Sequence, residues 1–206
     1  MPFQAVTELA AFAVNAVTQA DRLIALSSQG LTWMKRELPA HHLQAGLHAF
    51  DPSLQFLIGG SHDGNPKPNS TVTTIGDVLS DQNLEEAVQW LTVSCLIEIC
   101  SFWSSNTRKA LAAELGIAEP RYLNEPVMKA AVLRRNDCIH SLGNARKQLE
   151  AVGPFGLIEI GSPIRITPDE LRDFRGYLSD SLPRISSVEW IGFARGKRHS
   201  ADCKCL

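Results

Sequence analysis

Four stretches of this chain repeat apolar residues at helical spacing, and that repetition constrains the fold more than any other feature. The first runs from about Val6 to Glu37, where Leu9, Ala13, Ala16, Ala20 and Leu23 recur every three or four residues, with a break expected near Gly30. The second begins near Ser80 or Asp81, either of which can cap it, and Glu85 and Glu86 suit its positive N-terminal end. It is predicted to run past Trp103, with a break near Ser104-Ser105-Asn106 before Thr107 to Leu115, which Gly116 ends. The third starts at Pro126, a good first-turn residue, and is predicted to reach Val152, with Gly153-Pro154 as its stop. The fourth opens on Thr167-Pro168-Asp169-Glu170, in which Glu170 lies three residues after the Thr167 cap, and continues to about Leu182. Gly59 to Pro68 reads as a loop without the Gly-Lys-Ser/Thr of a phosphate-binding loop. Phe155 to Ile160 and Ile164 to Ile166 are predicted to pair as a small hairpin around Gly161-Ser162-Pro163, and the tail from Arg195 is expected to be loose.

The expected class is therefore all-α with a small hairpin-plus-helix addition. A hydrophobic fraction of 44% over 206 residues is enough for an ordinary buried core. A net charge of −2 excludes a polybasic binder but leaves room for a local basic patch. The most apolar run, Leu91 to Trp103, is shorter than the roughly 18–20 residues that cross a bilayer and contains Glu98. The first basic residue, Arg22, follows the apolar N-terminal stretch, the reverse of a secretory signal. With five cysteines in no tight framework, a reducing cytoplasm is the expected location, with no membrane association.

The chemistry-bearing residues concentrate in the third helix. Cys138, Leu142, Ala145, Leu149 and Val152 form a seam that extends backwards through Arg135, Ala131 and Met128. On the second helix Leu84, Val88, Leu91, Cys95 and Phe102 form a matching seam, with Glu98 at its missing step. A buried guanidinium needs a partner, so Glu98 and Arg135 are expected to pair, and one reading is a buried ion pair that only sets the helix alignment. Asn136 and His140, four apart, share a face, whereas Arg135 and His140 are about 140° apart around an ideal helix. One helix does not aim both at one point, so a shared site requires long reach, a helix start within the motif, or a second copy.

Arg135-Asn136-x-x-x-His140 resembles the Arg-polar-x-x-x-His signature of the HEPN (higher eukaryotes and prokaryotes nucleotide-binding) superfamily, with four residues between Arg and His and Asn directly after the Arg. Its setting is also similar: long antiparallel helices, the motif in the last main one, and an acidic residue, Glu98, in an earlier one. The resemblance implies an antiparallel bundle over residues 1–152; residues 153–194, which have no counterpart in the minimal bundle, are expected to form an elaboration packed on it, and 195–206 a flexible tail. It further implies a metal-independent endoribonuclease, toxin-like or defence-related, using no cofactor. His140 would move protons, since histidines change charge near neutral pH; Arg135 would stabilise the transferring phosphate, and Asn136 would hold His140 or that phosphate. Glu98 would support the site. A homodimer bringing two motifs together and a neutralising antitoxin protein are the implied partners besides RNA.

Residues 127–149 carry Lys129, Arg134, Arg135, Arg146 and Lys147 against Asp137, a balance of +4, and 80–106 carry Asp81, Glu85, Glu86 and Glu98, a balance of −4. Lys129, Arg134, Arg146 and Lys147 are thus candidate RNA-binding residues, although a basic helix equally complements an acidic neighbour. His41, His42 and His48 with Asp51, and His199 with Cys203 and Cys205, are incomplete ligand sets, and no metal site is expected. Cys138 reads as core, and Trp90, Trp103 and Trp190 as core or interface. The rival classes are a non-catalytic dimerisation or nucleotide/RNA-binding module on the same fold, and a purely structural helical protein.

Overall fold

A computed structural model describes residues 3–44, 53, 55–58, 71–141 and 143–195. The chain is predominantly helical. The elements are α1 (Gln4–Gln44), β1 (Gln55–Ile58), β2 (Thr71–Thr74), α2 (Ile75–Val78), α3 (Asp81–Phe102), α4 (Arg108–Glu114), α5 (Pro126–His140), α6 (Pro168–Gly176) and α7 (Ser187–Arg195). They fall into two compact units, residues 1–21 with 89–206, and residues 22–88.

The first unit holds the core. Val6, Leu9, Ala13 and Val17 of α1, Leu96 and Ile99 of α3, and Met128 and Ala131 of α5 are buried with Leu171 and Phe174 of α6 and Trp190 of α7. Phe12 stacks on Phe102 at 4.5 Å between centroids, and Trp103 on Trp190 at 6.2 Å. α3 does not break at Ser104: a π-helical turn, Trp103–Thr107, carries it into α4, and Gly116 at φ +65° ends the run. Trp103 and Thr107, four residues apart on one face of that turn, are both buried. The Thr167–Glu170 capping box forms as expected at the start of α6.

α5 stops at His140, twelve residues short of the expected Val152. Asp137 explains the stop. Its carboxylate accepts from the Arg146 backbone N–H at 3.1 Å and from Arg146 Nε at 2.6 Å, folding the chain back on the last helical turn, while Gly143 takes φ +81°. Residues 143–152 then pair irregularly with 155–164 through Asn144–Pro163, Leu149–Ile158 and Val152–Phe155. The hairpin therefore turns at Gly153-Pro154 rather than at Gly161-Ser162-Pro163. Gly153 sits at φ +57°, and a Cβ there would lie 2.8 Å from Val127 Cγ2, so both backbone and space require glycine.

In the second unit α1 continues unbroken through Gly30, β1 pairs antiparallel with β2 in the register Gln55–Thr74 to Ile58–Thr71, and Thr74 caps α2 in a capping box with Asp77. Ser80 caps the start of α3 through Asn83 N–H at 3.1 Å, and Lys35 pairs with Asp81 at 2.6 Å. The expected Gly59 to Pro68 loop, the side chains of His41, His42, His48 and Asp51, and the tail with His199, Cys203 and Cys205 lie outside the described residues.

Two helical stretches, Gln4–Glu37 and Asp81–Glu114, are long and apolar enough by length and composition alone to cross a membrane, although neither contains an uninterrupted apolar run of that length. Core helices meet the same criterion, and the first-unit parts of both stretches contribute buried core residues.

Candidate functional site

α5 presents two chemically different faces. Glu125 caps it, accepting from Val127 N–H at 3.0 Å and Met128 N–H at 2.7 Å, and also accepts 2.8 Å from the Tyr177 hydroxyl. The buried stripe runs Val127, Met128, Ala130, Ala131, Arg134 and Asp137. Met128 and Ala131 of the expected seam are buried as expected, but the stripe is turned by about 60° towards Arg134 and Asp137, which leaves Arg135 and Cys138 half-buried at its edge. Arg134 is the buried arginine, 1% exposed. Its guanidinium donates to the carbonyls of Ala130 and Glu150 at 3.3 Å each and to that of Gly156, and lies 4.8 Å from the Phe155 ring centroid. Burial pushes it below the ordinary guanidinium range, partly offset by Glu170. Arg134 thus ties the hairpin to α5 instead of facing RNA, the role expected of it from the sequence. Arg146 is exposed, but its charge is paired with Asp137.

The other face carries the motif. Arg135 is half-buried, and its Nη1 donates to Asn136 Oδ1 at 3.0 Å. Burial pushes the Cys100 thiol of α3 up to about 12 against the opposing pull of the Arg135 charge. Asn136 is half-buried and His140, one turn on, is exposed at the helix end. Arg135 Nε and Ser141 Oγ are buried without a hydrogen-bond partner. Among the described residues six buried side-chain atoms lack such a partner, and these two lie within and directly after the motif. Ser141, the residue that closes α5, carries no signal in the sequence beyond following His140.

The expected Glu98–Arg135 pair is absent among the described residues. Glu98 is exposed, because the buried stripe of α3 runs through Thr92, Cys95, Leu96, Ile99 and Cys100. Burial, with Glu98 and Asp21 nearby, pushes the Cys95 thiol up to about 12. Cys138 is half-buried and lines an open apolar groove with Trp90, Val93, Ile97, Ile139 and Ile164. Trp90 is 75% exposed and Ile139 44%, so an apolar surface adjoins His140, whereas Trp103 and Trp190 are core. Lys129 and Lys147 are both exposed. Among the described residues no three His, Cys, Asp or Glu side chains cluster as metal ligands would. No family model, no curated protein and no solved structure matches the chain.

Proposed function

We propose that this protein is a metal-independent endoribonuclease of the HEPN type, toxin-like or defence-related and cytoplasmic. The observation that carries the reading is the unfinished bonding at the motif: Arg135 held by Asn136 at 3.0 Å, Arg135 Nε and Ser141 Oγ left unpaired, and His140 free one turn beyond. In the proposed reaction His140 takes the proton of a ribose 2′-hydroxyl as that oxygen attacks the adjacent phosphorus. Arg135 stabilises the charge on the equatorial oxygens, and the bond to the 5′-oxygen breaks as that oxygen takes a proton from water. The products are a 2′,3′-cyclic phosphate and a 5′-hydroxyl.

Arg135 and His140 diverge around α5, so the reading includes a homodimer in which two copies of the motif share one cleft. The apolar groove of Trp90, Val93, Ile97, Cys138 and Ile139 beside the motif supports such a contact. An antitoxin protein is the proposed neutralising partner.

The test is product analysis. Purified protein in EDTA is expected to cut single-stranded RNA to cyclic-phosphate ends and to leave DNA, which lacks the 2′-hydroxyl, intact. Absence of RNA cleavage by partner-free protein, or its abolition by EDTA, contradicts the mechanism, and the first outcome favours a non-catalytic binding module.

A further inference from the structure

A second feature of the first unit lies away from the motif. Two adjoining clefts, of about 440 and 310 Å³, open between the turn before α5, α5 itself, the start of α4 and the hairpin. Both are lined by Asn124, Lys129, Leu133 and Lys147, and the smaller also by Arg108. Their sizes lie at the lower end of the range for small-ligand sites, roughly 300–1,000 Å³.

The charges in these clefts are unbalanced. Arg108, Lys129, Arg134 and Lys147 line them against Glu125 and Glu150, four cations to two carboxylates. Glu125 is occupied by two backbone N–H groups and the Tyr177 hydroxyl. Among the described residues Arg108, Lys129 and Lys147 make no ion pair. Arg108 Nε is buried without a hydrogen-bond partner, and burial alone pushes that guanidinium below its ordinary range. With Arg134 engaged by backbone carbonyls, Arg108, Lys129 and Lys147 outnumber the Glu125 and Glu150 carboxylates and none of the three is ion-paired with either, an excess of positive charge that fits a phosphate better than it fits water or a neutral ligand. Asn124 adds an amide fixed in place by the carbonyls of Arg121 and Tyr122.

Position along α5 relates this cleft to the motif. Lys129, Leu133, Asn136 and His140 follow one another by four, three and four residues. Lys129 and His140 therefore lie within about 20° of the same line along the helix and about 16 Å apart on its axis. That span holds no more than about five nucleotides at the ~3.4 Å rise of a stacked strand.

We propose that the cleft of Arg108, Lys129 and Lys147 binds a backbone phosphate of single-stranded RNA a few nucleotides from the bond at His140. The RNA assignment rests on the ribonuclease reading, whereas the anion site stands on its own geometry. The experiment measures binding of a fluorescent single-stranded oligoribonucleotide by the full-length His140→Ala protein across a salt series. Lys129→Gln combined with Lys147→Gln is expected to weaken binding at least about tenfold. It should also make the dependence of log K on log salt shallower by about 0.7 for each phosphate interaction removed. Arg108→Gln should act in the same direction, and Arg108→Lys should restore part of the loss. Lys109→Gln, an exposed neighbour outside the cleft, should leave binding unchanged. Equal affinity for the double variant, or an equal loss from Lys109→Gln, overturns the site. Cleft-dependent binding by a parent that cuts no RNA supports the cleft and sinks only the ribonuclease. Cleavage by the parent with charge-independent binding does the reverse, and a parent that binds no RNA overturns the RNA assignment.

Discussion

The inner and outer faces of α5 hold polar groups in opposite states. On the inner face Glu125, Arg134 and Asp137 are buried and fully engaged, with backbone N–H groups, backbone carbonyls, a tyrosine hydroxyl and Arg146. On the outer face Lys129 and His140 are exposed, and at the edge between the two faces the half-buried Arg135 keeps one nitrogen without a hydrogen-bond partner among the described residues. The contrast teaches that adjacent, chemically identical arginines do different work. Arg134 holds the hairpin to the helix, and Arg135 is left with bonding capacity that the fold does not use. Charge inside a protein is tolerated only when its bonds are made, so polar groups with unmade bonds are where function is sought.

The largest break in this comparison comes from the inner face. Arg134→Met keeps most of the volume but leaves the Glu150 and Gly156 carbonyls without their donor, and urea unfolding should show a loss of about 2–4 kcal/mol. A loss under about 1 kcal/mol would mean that the hairpin does not depend on Arg134. Gly153→Ala should cost about 1–3 kcal/mol, from its positive φ and from the Val127 methyl 2.8 Å from the new Cβ. Combining it with Val127→Ala should cost less than the two changes summed, because the two side chains meet each other.

Tyr177→Phe should cost about 1–2 kcal/mol by removing the bond to Glu125. Burial, then the Glu125 carboxylate, raise the Tyr177 hydroxyl above its ordinary value of 10.0. A raised folded pKa contributes stability that is present below about pH 10 and is lost as pH rises beyond it. The parent should therefore lose its advantage over Tyr177→Phe above pH 10, and a gap that widens there would contradict the linkage. The smallest effect belongs to the exposed Glu98: Glu98→Gln should change stability by less than about 0.5 kcal/mol. A larger loss would restore a structural role for that carboxylate.

Periodicity makes the helices legible but not their rotation. The starts at Ser80, Glu125-Pro126 and Thr167 are readable because caps and first-turn proline act locally. The buried faces of α3 and α5 share Cys95, Met128 and Ala131 with those expected but are rotated away from Glu98 and Arg135, because apolarity is a poorer guide here than bonding capacity. Apolarity favours Cys138 over Asp137, and the seam through it favours Arg135 over Arg134. The inner stripe instead takes the charged residues whose partners come from Arg146 and from the hairpin carbonyls, distant in sequence. Gly143-Asn144 is a readable stop for α5, masked by the apolar residues beyond it that continue the helical spacing but fold as hairpin arms. Of the candidate site, Arg135, Asn136 and His140 are visible as a motif, whereas Ser141 and the Arg108 cleft depend on burial and convergence that no local pattern encodes.

The division of labour along α5 is tested most directly by measuring RNA cleavage in EDTA and urea unfolding on the parent and His140→Ala side by side. His140→Ala should unfold within about 0.5 kcal/mol of the parent, since the imidazole is exposed, while cleavage falls by roughly 10²–10⁴-fold. A folded His140→Ala protein that cuts RNA at the parent's rate would contradict that division.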